Sequence, residues 1–334
     1  MSKTYVPDGY ESALNLYKTQ EAISFIKSNF QKKLSAALNL MRVSGPLFVD
    51  SRSGLNDDLN GVERPVKFDI KAADKQAEVV HSLAKWKRYA LHKYGFAPLT
   101  GIYTDMNAVR RDEELDNLHS VYVDQWDWEK IITESTRNAE YLVMTVKQIV
   151  DVICDTADEI KDRYGIDCGI SRDVKVISTQ ELEDLYPDLT PRQRENEITK
   201  KYGTVFITQI GGKLRSGIRH DGRAPDYDDW SLNGDIMFYN RVLNRAFEIS
   251  SMGIRVNRES LISQLTEANC LERLALPFHS ALEKGELPLT MGGGIGQSRL
   301  CMLLLNKAHI GEVQCSVWDT ETELTCKNAG IELL

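Results

Sequence analysis

The stretch Met291–Leu305, MGGGIGQSRLCMLLL, concentrates residues able to do chemistry. Gly292, Gly293, Gly294 and Gly296 let a backbone take positive φ and approach a ligand closely, and Arg299 follows them. The apolar run Leu300–Leu305 is too short to span a membrane and reads as a buried helix. A glycine-rich strand end feeding that helix would leave backbone N–H groups and Arg299 facing an anion or a nucleotide. A tight turn before a core helix, with Arg299 on the surface, accounts for the same residues. Neither GxxxxGK[ST] nor GxGxxG occurs here, so those devices hold nothing in this stretch.

Three further sets carry chemistry. Asp235 and Glu248 fall in Asn233–Val256, which reads as two strands about a loop. Carboxylates on adjacent strands can share Mg²⁺ with a phosphate chain, because hard cations take oxygen ligands; a cross-strand ion-pair set is the alternative. Arg110-Arg111-Asp112-Glu113 leads by a polar link into Leu118–Glu129, LHSVYVDQWDWE, which alternates with a strand period. The alternation is imperfect: Asp124 joins the aromatics, while Gln125 and Asp127 join the valines. Burying such polar groups alone costs about 1–3 kcal/mol each, so they line a pocket or pair with a neighbouring strand. Asp57 lies in the polar, flexible segment Ser51–Val62, either a solvated loop or one that covers a substrate.

The elements positioning these residues follow from period and punctuation. Ala22, Ile26, Phe30, Leu34 and Leu38 recur every fourth position, predicting a helix over Lys18–Leu40. Met41–Val49 reads as extended, broken at Gly45-Pro46, and Val66–Ile70 as a strand. Gln76–Tyr94 is helix-permissive and packs His81, Ser82, Lys85, Lys87 and Arg88, whose basic heads read as a wet face. A long helix is expected over Ile131–Tyr164, strands at Val174–Ser178 and Thr204–Ile210, and a helix at Pro191–Tyr202. Ser178 and Glu181 fit a capping box. Helices are also expected at Asn257–Asn269 and Pro277–Lys284.

At 334 residues and 42% hydrophobic, the chain can bury a large core. A net charge of -8 argues against a strongly electrostatic nucleic-acid binder. No apolar stretch is long enough to cross a bilayer, and Met1–Tyr10 lacks the apolar core of a signal peptide. The six cysteines form no CxxC pair and read as reduced, structural thiols of a cytoplasmic protein. No linker or repeat divides residues 1–334, so one domain is expected, with 1–16 and 319–334 peripheral.

The order of these segments resembles the catalytic core of class II aminoacyl-tRNA synthetases, closest to the aspartyl and asparaginyl enzymes. In that family an RxE loop binds ATP and a GxGxGxxR strand–helix supplies a second ATP arginine. Gly292, Gly294, Gly296 and Arg299 fit the latter; Arg111 and Glu113 meet the former literally, which leaves Arg110 and Arg111 both open. More specifically, VVHSLAKWKR, LHSVYVDQWDWE, RAPDYDDW, FEISSMGIRV and GGGIGQSRL resemble the signature segments of the ammonia-dependent asparagine synthetase (aspartate–ammonia ligase) family. In that family the ATP arginine stands three residues before the glutamate, which favours Arg110. The segment between Trp230 and Asn233 reads as short for the family, and the N-terminus as long.

The resemblance implies an α+β core, a large and mainly antiparallel sheet flanked by helices, in a homodimer with the helix at 18–40 in the interface. The implied reaction is ATP, L-aspartate and ammonia giving L-asparagine, AMP and pyrophosphate through β-aspartyl-AMP. It places Arg110, Glu113, His119, Arg223, Asp228, Gly294 and Arg299 at ATP, with Asp235 and Glu248 on Mg²⁺. Ser82, Lys87, Asp127, Ser251 and Arg255 would read the amino acid, Gln125 would orient the acyl group, and Asp57 would handle the amine. No membrane or nucleic-acid partner is expected. The alternatives are a paralogue passing aspartate to RNA, for which no anticodon-binding module is visible, and a non-enzymatic regulator, against which the intact Arg110, Glu113, Asp235, Glu248 and Arg299 argue.

Overall fold

Asn15 starts the first helix, α1 (Leu16–Leu38), by accepting the Lys18 N–H on its side chain at 2.9 Å. Ala22, Ile26, Phe30, Leu34 and Leu38 are all buried, so the fourfold spacing faces the core as expected. Asn39 ends the helix in the left-handed region at φ 57°. The computed structural model describes residues 4–57, 59 and 63–334.

The strands are β1 (Leu40–Arg42), β2 (Phe48–Asp50), β3 (Lys67–Ile70), β4 (Lys75–Val79), β5 (Gly101–Val109) and β6 (Tyr122–Ile131). They continue with β7 (Val174–Ser178), β8 (Thr204–Thr208), β9 (Asp228–Asn240), β10 (Arg245–Arg255) and β11 (Thr290–Gly296). The other helices are α2 (Ala84–Tyr94), α3 (Ala139–Tyr164), α4 (Thr179–Leu185) and α5 (Pro191–Tyr202). The last four are α6 (Arg258–Glu267), α7 (Pro277–Glu283), α8 (Gln297–Leu304) and α9 (Thr320–Asn328).

Among the described residues, eight strands form one sheet in the order β1-β5-β6-β11-β10-β9-β8-β7, and β2-β4-β3 form a small second sheet. Only the edge pairs β1–β5 and β7–β8 of the large sheet are parallel. The pairs between them run antiparallel, the mainly antiparallel architecture expected. One face packs on α1, α3 and α8, where Phe30 meets Trp126 with ring centroids 4.6 Å apart. Fully burying a large apolar side chain contributes about 1.5–3 kcal/mol.

Three expectations change. Gln76–Val79 belongs to strand β4 rather than to a helix, pairing with both β2 and β3. The basic heads of α2 are not its wet face: Lys85, Lys87 and Arg88 are 2%, 1% and 3% exposed. Each is drawn inward by acceptors remote in sequence, as Arg88 is by the carbonyls of Pro288 and Val256 at 2.9 and 2.7 Å. Burial lowers the Arg88 pKa to about 10. The ends, read as peripheral, make buried contacts. Cys326 and Ile331 are buried, Leu333 and Leu334 pack on the main core, and Tyr10 bonds Glu312 at 2.8 Å.

Candidate active site

The face of the large sheet away from α1 and α3 opens into a cavity of about 440 Å³. Its wall is set by the period of β6: Gln125 and Asp127 face it, while Trp126 and Trp128 enter the core. Glu129 continues the same face behind the wall. Opposite them, Gly292, Gly294 and Gly296 pair with Glu129, Asp127 and Gln125.

The glycines serve a different end from the one expected. They lie within strand β11, and none of Gly292–Gly296 has positive φ. A Cβ at Gly294 would collide with the Gln125 amide, and one at Gly292 with the Glu129 carboxylate. Gly292 and Gly294 therefore clear space for side chains of β6. The start of α8 is also taken: Asp124 accepts the Ser298 N–H at 3.0 Å and the Ser298 hydroxyl at 2.8 Å. Asp124 breaks the alternation of β6 because it turns toward this helix start, where Lys27 also reaches it at 3.1 Å.

Arg110, Glu113, His119, Arg223, Asp228, Glu248, Gly294 and Arg299 all line the cavity. So do Asp57, Ser82, Lys87, Gln125, Asp127, Ser251 and Arg255. Arg110 leaves its Nε buried with no partner among the described residues, whereas Arg111 is exposed and lies off the wall. A buried guanidinium nitrogen without an acceptor suits an anionic ligand. His119 Nδ1 is held by Asp116 at 2.8 Å. Arg299 Nη1 donates to the Glu248 carbonyl at 3.1 Å and lies 3.6 Å from its carboxylate.

The part of the wall that carries Lys87, Asp127 and Arg255 is a buried charge network. Lys87 Nζ bonds Asp127 and donates to the carbonyls of Trp128 at 2.9 Å and Gly293 at 3.3 Å. Burial lowers the Lys87 pKa, although Asp127 and Glu129 oppose that shift. Arg255 bonds Asp228 and grips both oxygens of Glu129, at 3.0 and 2.8 Å. Burial alone would raise the Glu129 pKa; Arg255 and Lys87 outweigh it and hold the carboxyl below its ordinary value.

Asp57 is not in the flexible setting expected of a polar loop. It is 2% exposed, accepts Ser82 Oγ and the Leu59 N–H at 2.9 Å each, and its neighbour Asn56 bonds the His81 N–H. Burial raises its pKa, with Lys85 pulling the other way. Of Ser51–Val62, residues 58 and 60–62 fall outside the described residues. Lys85 belongs to a second cluster: Asp226 Oδ2 takes Lys85 and Arg273 at 3.1 Å and His279 at 2.9 Å.

Asp235, expected on Mg²⁺, stands off the wall. It stands behind Arg223, whose Nη2 donates to it at 2.6 Å, while Arg223 Nη1 bonds Ser251. Burial pushes the Asp235 carboxyl up to about 7, with Arg223 opposing and Glu248 adding to the rise. Two carboxylates that repel across adjacent strands fit a divalent cation, with further oxygens needed from elsewhere. No group of three or more His, Cys, Asp or Glu placed to hold a metal ion by themselves occurs among the described residues.

Two residues of consequence had not been singled out. Glu129 holds Arg255, and its signal was available as the third member of the Gln125, Asp127, Glu129 series. Tyr227 lines the cavity from the charge-dense RAPDYDDW segment, in which nothing local distinguishes it.

The geometry has parallels among known proteins. Solved asparaginyl-tRNA synthetases from Entamoeba histolytica and Pyrococcus horikoshii, each complexed with asparaginyl-adenylate, superpose with a TM-score of 0.61. They are 14% and 15% identical, covering 90% and 89% of this chain and 69% and 68% of theirs, which supports a class II synthetase fold. Aspartate–ammonia ligase of Clostridium perfringens is 56% identical over 336 residues, covering the whole of both chains, the N-terminus included. The same enzyme of Lactobacillus johnsonii is 58% identical over 332 residues, 98% of this chain and 99% of the relative. The family model described as aspartate-ammonia ligase matches residues 17–330, and with relatives this similar from end to end the chain belongs to the aspartate–ammonia ligase family.

Proposed function

We propose that this chain activates L-aspartate with ATP as β-aspartyl-AMP and passes the acyl group to ammonia, releasing L-asparagine, AMP and pyrophosphate. The observation that carries the reading is a single cavity joining Arg110, Arg223 and Arg299 to Ser82, Lys87, Asp127 and Asp57. One set suits a polyphosphate, the other an amino acid and an amine. Incubation with ATP, aspartate and ammonium should yield AMP and asparagine in equal amounts. ADP as product, or pyrophosphate exchange that requires tRNA, would overturn it.

The attacking aspartate carboxylate and the α-phosphate are both anionic, so cations must offset their repulsion. Arg110 faces the α-phosphate, where charge grows in the transition state. Arg299 lies against the adenine and phosphates, and Arg223 with Asp228 near the pyrophosphate. Glu113, His119 and Gly294 complete the ATP side. Asp235 and Glu248 would hold Mg²⁺ with phosphate oxygens; the bound ion screens phosphate charge. Ser82, Ser251, Lys87 and Arg255 read carboxylate oxygens, Asp127 the α-ammonium, and Gln125 orients the acyl group. Lys87 already donates to Asp127 and to the carbonyls of Trp128 and Gly293, so it acts on the substrate through its charge, whereas Asp127 keeps lone pairs for an ammonium.

Asp57 takes a proton from, or positions, the incoming ammonium. Its raised pKa makes it a stronger base than an exposed aspartate. Adenylation needs no base, because the attacking carboxylate is already ionised. Asp57→Asn should therefore lose more asparagine formation than ATP–pyrophosphate exchange, with partial recovery at higher pH as free ammonia increases. Equal loss in both assays would make Asp57 an aspartate-binding residue. For Glu248→Gln, a higher magnesium requirement with little change in the aspartate KM is expected; an unchanged magnesium dependence would remove Glu248 from the ion.

A cytoplasmic homodimer is part of the same reading, with no nucleic-acid partner. Leu16 and Tyr17 on α1, and Met41, Leu47 and Phe48 beyond it, are exposed apolar residues that a second copy would cover. Cys154, Cys168, Cys301, Cys315 and Cys326 are free thiols, and no helix among the described residues is long and apolar enough to cross a membrane.

A further inference from the structure

One end of the cavity wall is built from Leu118 and His119, which follow the Arg110 loop, and from Ile310 and Gln314. Asn117 joins these two segments from behind and is 3% exposed. Its Nδ2 donates to the Ala308 carbonyl at 2.7 Å, and its backbone carbonyl accepts the Ile310 N–H at 2.8 Å. The same side chain grips the N-terminal arm: Oδ1 accepts the Tyr5 N–H at 2.7 Å and Nδ2 donates to the Tyr5 carbonyl at 2.8 Å.

A second tie reaches the same turn. Tyr10 Oη donates to the Glu312 carboxylate at 2.8 and 3.0 Å. Glu312 Oε1 in turn accepts the N–H groups of Ala308 and His309 at 2.9 and 3.0 Å. The arm thus holds both segments of this wall through buried groups, though none of its own described residues lies on the wall. The other side of the Arg110 loop is tied at its exposed tip, where the Arg64 backbone N–H and guanidinium donate to Asp112.

We propose that residues 4–10 act as a positioning clamp which, through Asn117 and Tyr10, sets the nucleotide end of the cavity and hence the affinity for ATP. Tyr5 is held at both its N–H and its carbonyl, so its bond to Asn117 fixes orientation as well as distance. Small displacements of a binding group are costly because the ligand's contacts must all be met at once. Asn117 and Tyr10 are positioning residues, acting through Leu118, His119 and Ile310. The inference rests on assigning Arg110, Glu113 and His119 to the nucleotide.

Asn117→Ala removes the side-chain ties to the arm and to Ala308, and Tyr10→Phe removes the tie to Glu312. For Asn117→Ala the ATP KM should rise about 10-fold, with the aspartate and ammonium KM values within about twofold of wild type. Tyr10→Phe should shift the ATP KM in the same direction by about threefold. A purely structural role would lower the active fraction, and so kcat, at unchanged ATP KM; that result, or equal shifts for all three substrates, overturns the clamp. If Asn117→Ala does not fold, an unchanged ATP KM in Tyr10→Phe overturns it equally. Arg110→Ala, assayed alongside, separates the two readings: retained adenylation there defeats the nucleotide assignment itself, whereas lost adenylation with a wild-type ATP KM in both clamp variants defeats the clamp alone.

Discussion

Replacing Arg110 by alanine is expected to reduce aspartate-dependent ATP–pyrophosphate exchange by about 10²–10³ while the protein stays folded. Arg110 stands on the cavity wall with a buried Nε that no described residue accepts from, so little in the protein depends on its charge. A donor aimed at growing transition-state charge matters more to rate than to binding. Arg111→Ala, altering an exposed residue off the wall, should stay within about twofold of wild type. Near-normal exchange in Arg110→Ala, or a loss as large in Arg111→Ala, would reverse the assignment between the two.

Arg255→Met should produce the largest loss of stability, about 3–5 kcal/mol by urea denaturation, because removing one partner strands buried charges. Arg255 is the shared partner of Glu129 and Asp228, and all three are buried. Methionine fills much of the volume but leaves those carboxylates short of a cation. The pH dependence gives a second reading. In the wild type, Glu129 is held below its ordinary pKa, so it contributes stability above the unfolded carboxyl pKa and loses it as pH falls. Without Arg255, burial is opposed by less positive charge and the folded pKa rises. The deficit against wild type should therefore shrink as pH falls from about 8 toward about 5. A loss below about 1 kcal/mol, or a deficit independent of pH, would show that the network is not held together by this arginine.

The sequence by itself determined whatever depends on contacts within a few residues. The fourfold spacing of Ala22, Ile26, Phe30, Leu34 and Leu38 specified the buried face of α1. The capping box of Ser178 and Glu181 marked the start of α4, and Pro191 after Thr190 that of α5. Such signals are local because a cap or a helical face is closed by neighbours in the chain. Short linear segments also sufficed to indicate the family and most of the cavity wall.

What the tertiary structure decided was the partner of each charged group, since opposite charges meet wherever the sheet brings them together. Arg255 and Glu129 are 126 residues apart, and Ser298 and Asp124 are 174 apart. Spacing could not tell Lys87 in a buried network from a solvated lysine, because the acceptors arrive on β6 and β11. Nor could it separate glycines needed for positive φ from those that clear room for Gln125 and Glu129. Asp57 looked mobile because its segment is polar. It is fixed by Ser82, and the turn that carries it by contacts to His81 and Glu78, groups that reach it only once β4 and α2 have formed. A side chain's type limits what it can do, but burial and partners decide which of those things it does, and both are properties of the folded chain.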